Sequence, residues 1–276
     1  MTTTKPTLAF FGATGGCAGA ALSAALRDNY AATALARTPD KLRTFLTTAH
    51  SIPAPTLDTL LTIHAGNVLK EVDVKRALIS PTSPSHLVDT IISGIGGGGA
   101  HFQASLRKPV GIDNPHICET GVTTILAALA SLANEGISTT ASGSKPLLVA
   151  ISTPGGCQSG QRDLPILYWP VFYWLLAEPY TDKKAMERVI YSAAKKGNSI
   201  GDFVIIRPTI LMDGPARGLG KVRAGWVWGI RGVEGREKEL GPTMGWAVGK
   251  TDVGEWIFAE VVTKGGWGGK CVTLNW

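Results

Sequence analysis

A glycine-rich turn near the amino terminus, Gly12-Ala13-Thr14-Gly15-Gly16-Cys17-Ala18-Gly19, is the first place where residue types and spacing point to chemistry. An apolar run, residues 7–11, leads into it, and alanines spaced with Leu22 and Leu26 lead out. Between a strand and a helix, Gly12 permits the tight turn and Gly15 lets backbone N–H groups approach a diphosphate. Ala18 keeps the helix close to the sheet, and the helix amino end adds a positive dipole. With Thr14, Gly16 and Cys17 completing the cradle, the turn predicts a site for a nicotinamide dinucleotide. The plainer alternative is a structural strand–helix turn with no ligand.

The next apolar run, residues 31–36, ends at Arg37. A site that prefers NAD usually carries an acidic residue there for the ribose 2′-hydroxyl, whereas a guanidinium suits a 2′-phosphate. Arg37, with Thr38 and Lys41 nearby, therefore predicts NADP(H); the alternative is that these are simply exposed residues at a helix start. Thr38-Pro39 reads as an N-cap followed by a first-turn proline.

These residues need elements to position them. Further strands are expected over 60–65, 87–92, 146–151, 203–206 and 270–274, with helices over 69–78, 118–133, 182–196 and 252–262. Alternating strands and helices predict an α/β fold, a doubly wound parallel sheet of Rossmann type, joined by right-handed crossovers. The chain of 276 residues suits a single domain over 1–276. Segments 97–116, 154–180 and 211–249 break the alternation and follow strand ends; 154–180 and 211–249 are expected to form a small C-terminal substrate-binding lobe.

Composition narrows the classes. Apolar residues make up 44% and charged residues 17%, which excludes global disorder. No stretch reaches the length of a membrane span, and no secretory segment is apparent, so a cytoplasmic protein is expected. Four widely spaced cysteines, Cys17, Cys118, Cys157 and Cys271, give no metal-ligand spacing, and no metal is expected. The net charge of +6 comes from a basic excess between Lys183 and Lys250. It lacks a nucleic-acid signature and fits either an anionic small molecule or a solvated surface.

Several motifs together resemble the atypical short-chain dehydrogenase/reductase group called NmrA-like, in its fungal oxidoreductase-like members. They are Gly-Ala-Thr-Gly-Gly at 12–16, Ala-Leu-Ala-Arg-Thr-Pro at 34–39 and Gly66-Asn67-Val68. Lys183-x-x-x-Glu187, Val204-Ile205-Ile206-Arg207-Pro208-Thr209 and Asp252-Val253-Gly254 complete the set. The resemblance implies that Asn67 and Val68 flank the adenine, where the family more often has Asp than Asn. It further implies that Ser93, Gly94, Ile95 and Gly96 pass under the ribose and that Pro208 and Thr209 lie beside the nicotinamide. The family includes reductases and non-catalytic redox sensors, so it does not dictate the reaction.

Short-chain dehydrogenases use a hydroxyl, a tyrosine and a lysine. Ser152 and Thr153 follow the strand over 146–151 and fill the hydroxyl role. Two registers remain open for the lysine. Tyr180 and Lys184 have the usual Tyr-x-x-x-Lys spacing, whereas the family's Lys-x-x-x-Glu makes Lys183 the cofactor lysine and places Pro179 where the tyrosine would stand. In the second register Tyr180 or Asp182 is the candidate acid/base, although Asp182 also reads as a helix cap. Tyr168, Tyr173 and Trp174 before this helix, and Trp226 and Trp228 after it, are candidates for a pocket holding a flat aromatic ligand; core packing is their alternative. The expected activity is an NADP(H)-dependent oxidoreductase acting on a carbonyl, quinone or alkene of an aromatic or polyketide-like metabolite. A redox-neutral isomerase, dehydratase or cyclase using the same pocket and a non-enzymatic NADP sensor are the alternatives.

Overall fold

In the computed structural model the described residues are 5–96, 101–102, 110–111, 113–155, 163, 165, 177–230 and 237–276. Eight strands form one sheet: β1 (Leu8–Phe11), β2 (Ala32–Ala36), β3 (Leu61–Ala65), β4 (Thr90–Ser93), β5 (Leu147–Ile151), β6 (Asp202–Pro208), β7 (Arg223–Trp228) and β8 (Lys270–Asn275). Their spatial order is β3-β2-β1-β4-β5-β6-β8-β7. All neighbours pair parallel except β7, which runs antiparallel to β8. The order reverses between β1 and β4, and in open α/β sheets ligands bind at that switch point, beyond the carboxyl ends of the strands.

Strands β1 and β5 are apolar throughout because both faces are covered. Leu8 and Phe10 of β1 face one core layer, with Leu22, Leu26, Val253 and Ile257. Ala9 and Phe11 face the other, with Val122, Ile125, Met186 and Ile190. The helices that supply these layers are α1 (Gly16–Arg27), α2 (Pro39–Thr48), α3 (Ala54–Leu60), α4 (Glu71–Leu78), α5 (Ile117–Asn134), α6 (Ala177–Lys196) and α7 (Lys250–Trp256), the last continuing as a π-helix over Ile257–Lys264. By length and composition α5 could cross a membrane. Its buried positions, Cys118, Val122, Ile125, Leu129 and Leu132, instead recur at helical spacing against the second core layer.

Several boundaries differ from expectation for identifiable reasons. Thr38 is the N-cap of α2 with Pro39 at its start, but its hydroxyl makes no capping bond. Among the described residues α6 covers Ala177–Lys196, so it extends ahead of residue 182 and includes Pro179. Ser83–Leu87 pairs antiparallel with Ile79–Ser80 in a hairpin, so the fourth sheet strand starts only at Thr90. Residues 223–228, expected in the substrate lobe, are the edge strand β7.

Candidate functional site

The turn after β1 is shaped by contacts that leave no room for side chains. Gly12 has φ +78°, and a Cβ there would lie 2.6 Å from the Gly94 carbonyl oxygen. A Cβ on Gly94 would lie 2.6 Å from that of Ala18, so β4 leaves the sheet directly beneath α1. The Gly15 N–H donates to the Gly12 carbonyl (2.9 Å), closing the turn, and α1 starts at Gly16 without side-chain cap or first-turn acid. Its amino end thus stays open and positive. Ser93, at the end of β4, is 1% exposed, and its hydroxyl has no partner among the described residues. A cradle that Cβ atoms would fill, beside an orphaned buried hydroxyl, fits a dinucleotide.

Around this turn the expected cofactor residues fall at the carboxyl side of the sheet. Arg37, Thr38 and Lys41 are exposed just past β2, and among the described residues neither Arg37 nor Lys41 carries an ion pair. Asn67 ends the β3 side in an Asx turn, its Oδ1 accepting from the Leu69 N–H (3.0 Å), while Val68 packs on the second core layer. Pro208 closes β6, and Thr209 is turned toward β8, its Oγ1 donating to the Leu274 carbonyl (3.3 Å). The Cys17 thiol is pushed up to about 12 by burial, and that of Cys118 to about 11, so both are neutral packing groups.

On α6, successive residues point about 100° apart, and three neighbours reach three different places. Asp182 is 1% exposed and caps α5: its carboxylate accepts from the Cys118 N–H (2.8 Å) and the Glu119 N–H (2.9 Å). It caps a neighbouring helix and not its own, which removes it from the acid/base candidates. Lys183 donates to the carbonyls of Ile95 (2.7 Å) and Ile151 (2.6 Å), so its ammonium sits at the carboxyl ends of β4 and β5. Lys184 turns inward to Glu187, at 3.2 and 3.1 Å from its two oxygens. The Tyr180 hydroxyl donates to the Gly155 carbonyl, and its ring lies 5.5 Å from the Lys184 ammonium. Thr153 is half-buried just beyond β5.

Beneath this surface lies a buried ionic cluster. Arg207 forks onto Glu187, Nε to Oε1 (3.0 Å) and Nη2 to Oε2 (2.7 Å), and Nη2 also donates to the Tyr191 hydroxyl (3.2 Å). The Ser152 hydroxyl donates to the same Glu187 (2.6 Å), so it serves this cluster and not a ligand. Burial pushes the Glu187 carboxyl up, but Arg207 and Lys184 outweigh it and hold the group below its ordinary value. Lys184 is lowered, by burial first, with Glu187 opposing.

Two placements depart from the sequence reading. Trp226 and Trp228 lie on β7, and because β7 is antiparallel Trp228 pairs with Lys270 at the amino end of β8, opposite the cradle. Trp226 is buried in the core and Trp228 lies beside it edge-on, with the Lys270 ammonium 4.2 Å from the Trp226 ring. They are structural and do not line a pocket over the cofactor. Tyr168, Tyr173 and Trp174 lie outside the described residues. Sequence reasoning also missed Lys250, the first residue of α7: a Cβ on Gly16 would lie 2.4 Å from its Cδ.

No family model matches the chain. It is 36% identical over 285 residues to Reductase pytE of Aspergillus terreus, covering 100% of both chains. It is 37% identical over 294 residues to Oxidase pynE of Aspergillus niger, covering 98% of this chain and 99% of the relative. A Rossmann-fold NAD(P)-binding family protein from Shigella flexneri superposes with a TM-score of 0.54 at 15% identity, covering 99% of this chain and 94% of that one. This last likeness shows the fold.

Proposed function

Because the chain belongs to the family of the fungal reductase pytE and oxidase pynE it is an oxidoreductase, and we propose that it uses NADP(H) to act on a carbonyl, quinone or alkene of an aromatic, polyketide-like metabolite. The observation that carries this reading is the Gly12–Gly94 cradle with the Lys183 ammonium set at the ends of β4 and β5. The names reductase and oxidase favour net redox chemistry over an isomerase, dehydratase, cyclase or sensor. The NmrA-like affiliation is part of the same proposal, supported by Lys183 and Glu187 on one helix and Arg207-Pro208-Thr209 closing β6.

When bound, the cofactor supplies or accepts a hydride; the protein's residues bind, orient and move the proton. Arg37, exposed past β2, takes the 2′-phosphate, with Thr38 and Lys41 beside it. Asn67 and Val68 border the adenine, and Pro208 and Thr209 the nicotinamide. An ammonium has three N–H donors; two of those on Lys183 hold the Ile95 and Ile151 carbonyls, and the third is left for a ribose hydroxyl. Tyr180, one turn before Lys183, is the proton donor, releasing the Gly155 carbonyl as it engages the substrate oxygen. Thr153 orients that oxygen. The chain is one domain, whose substrate lobe comprises 154–180 and the parts of 211–249 outside β7.

Titration with NADPH and NADH, then a screen of quinones and aromatic ketones for loss of NADPH absorbance, tests the reading. Tight NADPH binding with turnover supports it; binding without turnover of any substrate counts against the reaction, and no binding sinks the cofactor. Arg37→Ala should weaken NADPH by roughly tenfold to a hundredfold while leaving NADH nearly unchanged. Equal weakening of both nucleotides would refute the 2′-phosphate assignment. Lys183→Met should raise the NADPH dissociation constant more than Lys184→Met, and the reverse order would favour the Tyr180/Lys184 register.

A further inference from the structure

Lys250 is separated from the glycine turn by more than two hundred residues, yet its aliphatic stem lies on Gly16, the first residue of α1. A Cβ on Gly16 would come within 2.4 Å of Lys250 Cδ and 2.8 Å of its Cβ. The position follows from how α7 packs on α1. Gly254, one turn into α7, sits so close that a Cβ there would lie 2.4 Å from the Cys17 carbonyl oxygen and 2.5 Å from Ala20 Cβ. With Gly254 seated against α1, Lys250 is carried to the amino end of that helix. Lys183 bonds the Ile95 carbonyl, and a Cβ on Gly12 would lie 3.0 Å from the Ile95 N, so a second ammonium stands near the turn that opens α1.

The Lys250 ammonium is paired with Asp213 at 2.7 Å, the lysine side chain 32% and the aspartate 86% exposed. This pair also has a structural cause. Ile210–Met212 pairs parallel with Ala247–Gly249, Met212 standing opposite Gly249, so the next residues on the two strands, Asp213 and Lys250, come side by side. The aspartate is followed by Gly214 at φ +128°, and beyond it Asp252 holds the Arg217 N–H (3.1 Å) and Gly218 N–H (2.8 Å). A cation, a helix amino end and a glycine turn thus converge; of the two carboxylates nearby, Asp252 is buried and bonded to backbone N–H groups, and Asp213, the partner of Lys250, is highly exposed.

We propose that Lys250 is a diphosphate-binding residue of the cofactor site, and that Asp213 is an internal competitor which holds its ammonium until the cofactor's diphosphate displaces it. The inference rests on the dinucleotide reading above and adds a residue that neutralises the diphosphate. An exposed ion pair is worth little in water and exchanges readily for a doubly charged ligand held against a helix dipole.

The test is equilibrium binding of NADPH, and of adenosine 2′,5′-bisphosphate, which lacks the diphosphate link, to the full chain. Lys250→Met keeps the stem over Gly16 and removes the charge. It should weaken NADPH by about tenfold, and the bisphosphate by less, while Lys250→Arg stays near wild type. Asp213→Asn should bind NADPH about twofold to fivefold more tightly. Thermal melting without nucleotide identifies any variant that fails to fold, and Asp213→Asn tests the idea independently of Lys250→Met. NADPH affinity of Lys250→Met equal to wild type, or Asp213→Asn binding no tighter, overturns the proposal. If wild type binds NADPH and Arg37→Ala weakens it but Lys250→Met does not, only this inference fails; if wild type binds no dinucleotide, the cofactor reading falls and this one with it.

Discussion

Arg207→Met is expected to lower the unfolding free energy by about 3–5 kcal/mol, because it strands the Glu187 carboxylate in the core. Arg207 is 1% and Glu187 2% exposed, and the guanidinium meets both carboxylate oxygens. For a chain of this size that loss corresponds to a fall in melting temperature of roughly 10 °C. Lys184 also contacts Glu187, but its side chain is less buried and it lacks the planar fork, so Lys184→Met should cost about 1 kcal/mol.

The pH dependence gives the effect a sign. Glu187 in the folded protein lies below its ordinary value of 4.5. The stability it contributes is therefore complete above pH 4.5 and lost as pH falls through the lower folded value. Without Arg207 the opposing effect of burial prevails, and protonation then relieves the buried charge. The stability gap between wild type and Arg207→Met should narrow as pH falls from neutral toward 4. A gap that widens, or a variant that melts within about 2 °C of wild type, would mean the pair does not anchor α6 to β6.

Gly12→Ala is expected to weaken NADPH by on the order of a hundredfold, at least as much as removal of any one charged ligand, because it moves the walls of the cradle itself. Two penalties add at this position. An L-residue at φ +78° costs about 1–2 kcal/mol. The new Cβ must also push back the Gly94 carbonyl, and Gly94 is tied to β1 through its N–H on the Phe11 carbonyl (2.9 Å) and lies against Ala18. Gly143→Ala separates the two: Gly143 has φ +79°, and a Cβ there would meet nothing within 4 Å. It should show only the backbone strain and leave NADPH affinity unchanged. Equal melting losses in the two variants, with Gly12→Ala binding normally, would show that the close approach to Gly94 yields at little cost.

What was legible in the sequence divides along local and non-local lines. The β1–turn–α1 unit could be read because its determinants, Gly12 to Ala18 flanked by an apolar strand and an alanine-rich helix, are contiguous. The parallel sheet followed from the alternation of such units. The roles of Asp182, Lys250 and Trp228 could not be read, since each depends on a partner far along the chain. Asp182 looks like the cap of its own helix until α5 is seen against it. Trp228 looks like pocket lining until β7 is seen to run back along β8, which delivers it to the opposite end of the sheet. Lys250 meets Gly16 only through the packing of α7 on α1. α3 was not expected at all: it is only 7 residues long, and its prolines, Pro53 and Pro55, fall where a helix start tolerates them.

The short run from Asp182 to Lys184 works like a key with three cuts. One tooth fits the start of α5, the next the ends of β4 and β5, the third the ion cluster under β6. Inserting or deleting a single residue between Lys184 and Met186 would turn all three by about 100° relative to the buried face of Met186, Ile190 and Tyr191 and seat none of them. The stretch from Asp182 to Ile190 is therefore expected to tolerate no change in length. The spacing among the α5 cap, Lys183 and the Glu187 anchor can change only by rebuilding all three locks together.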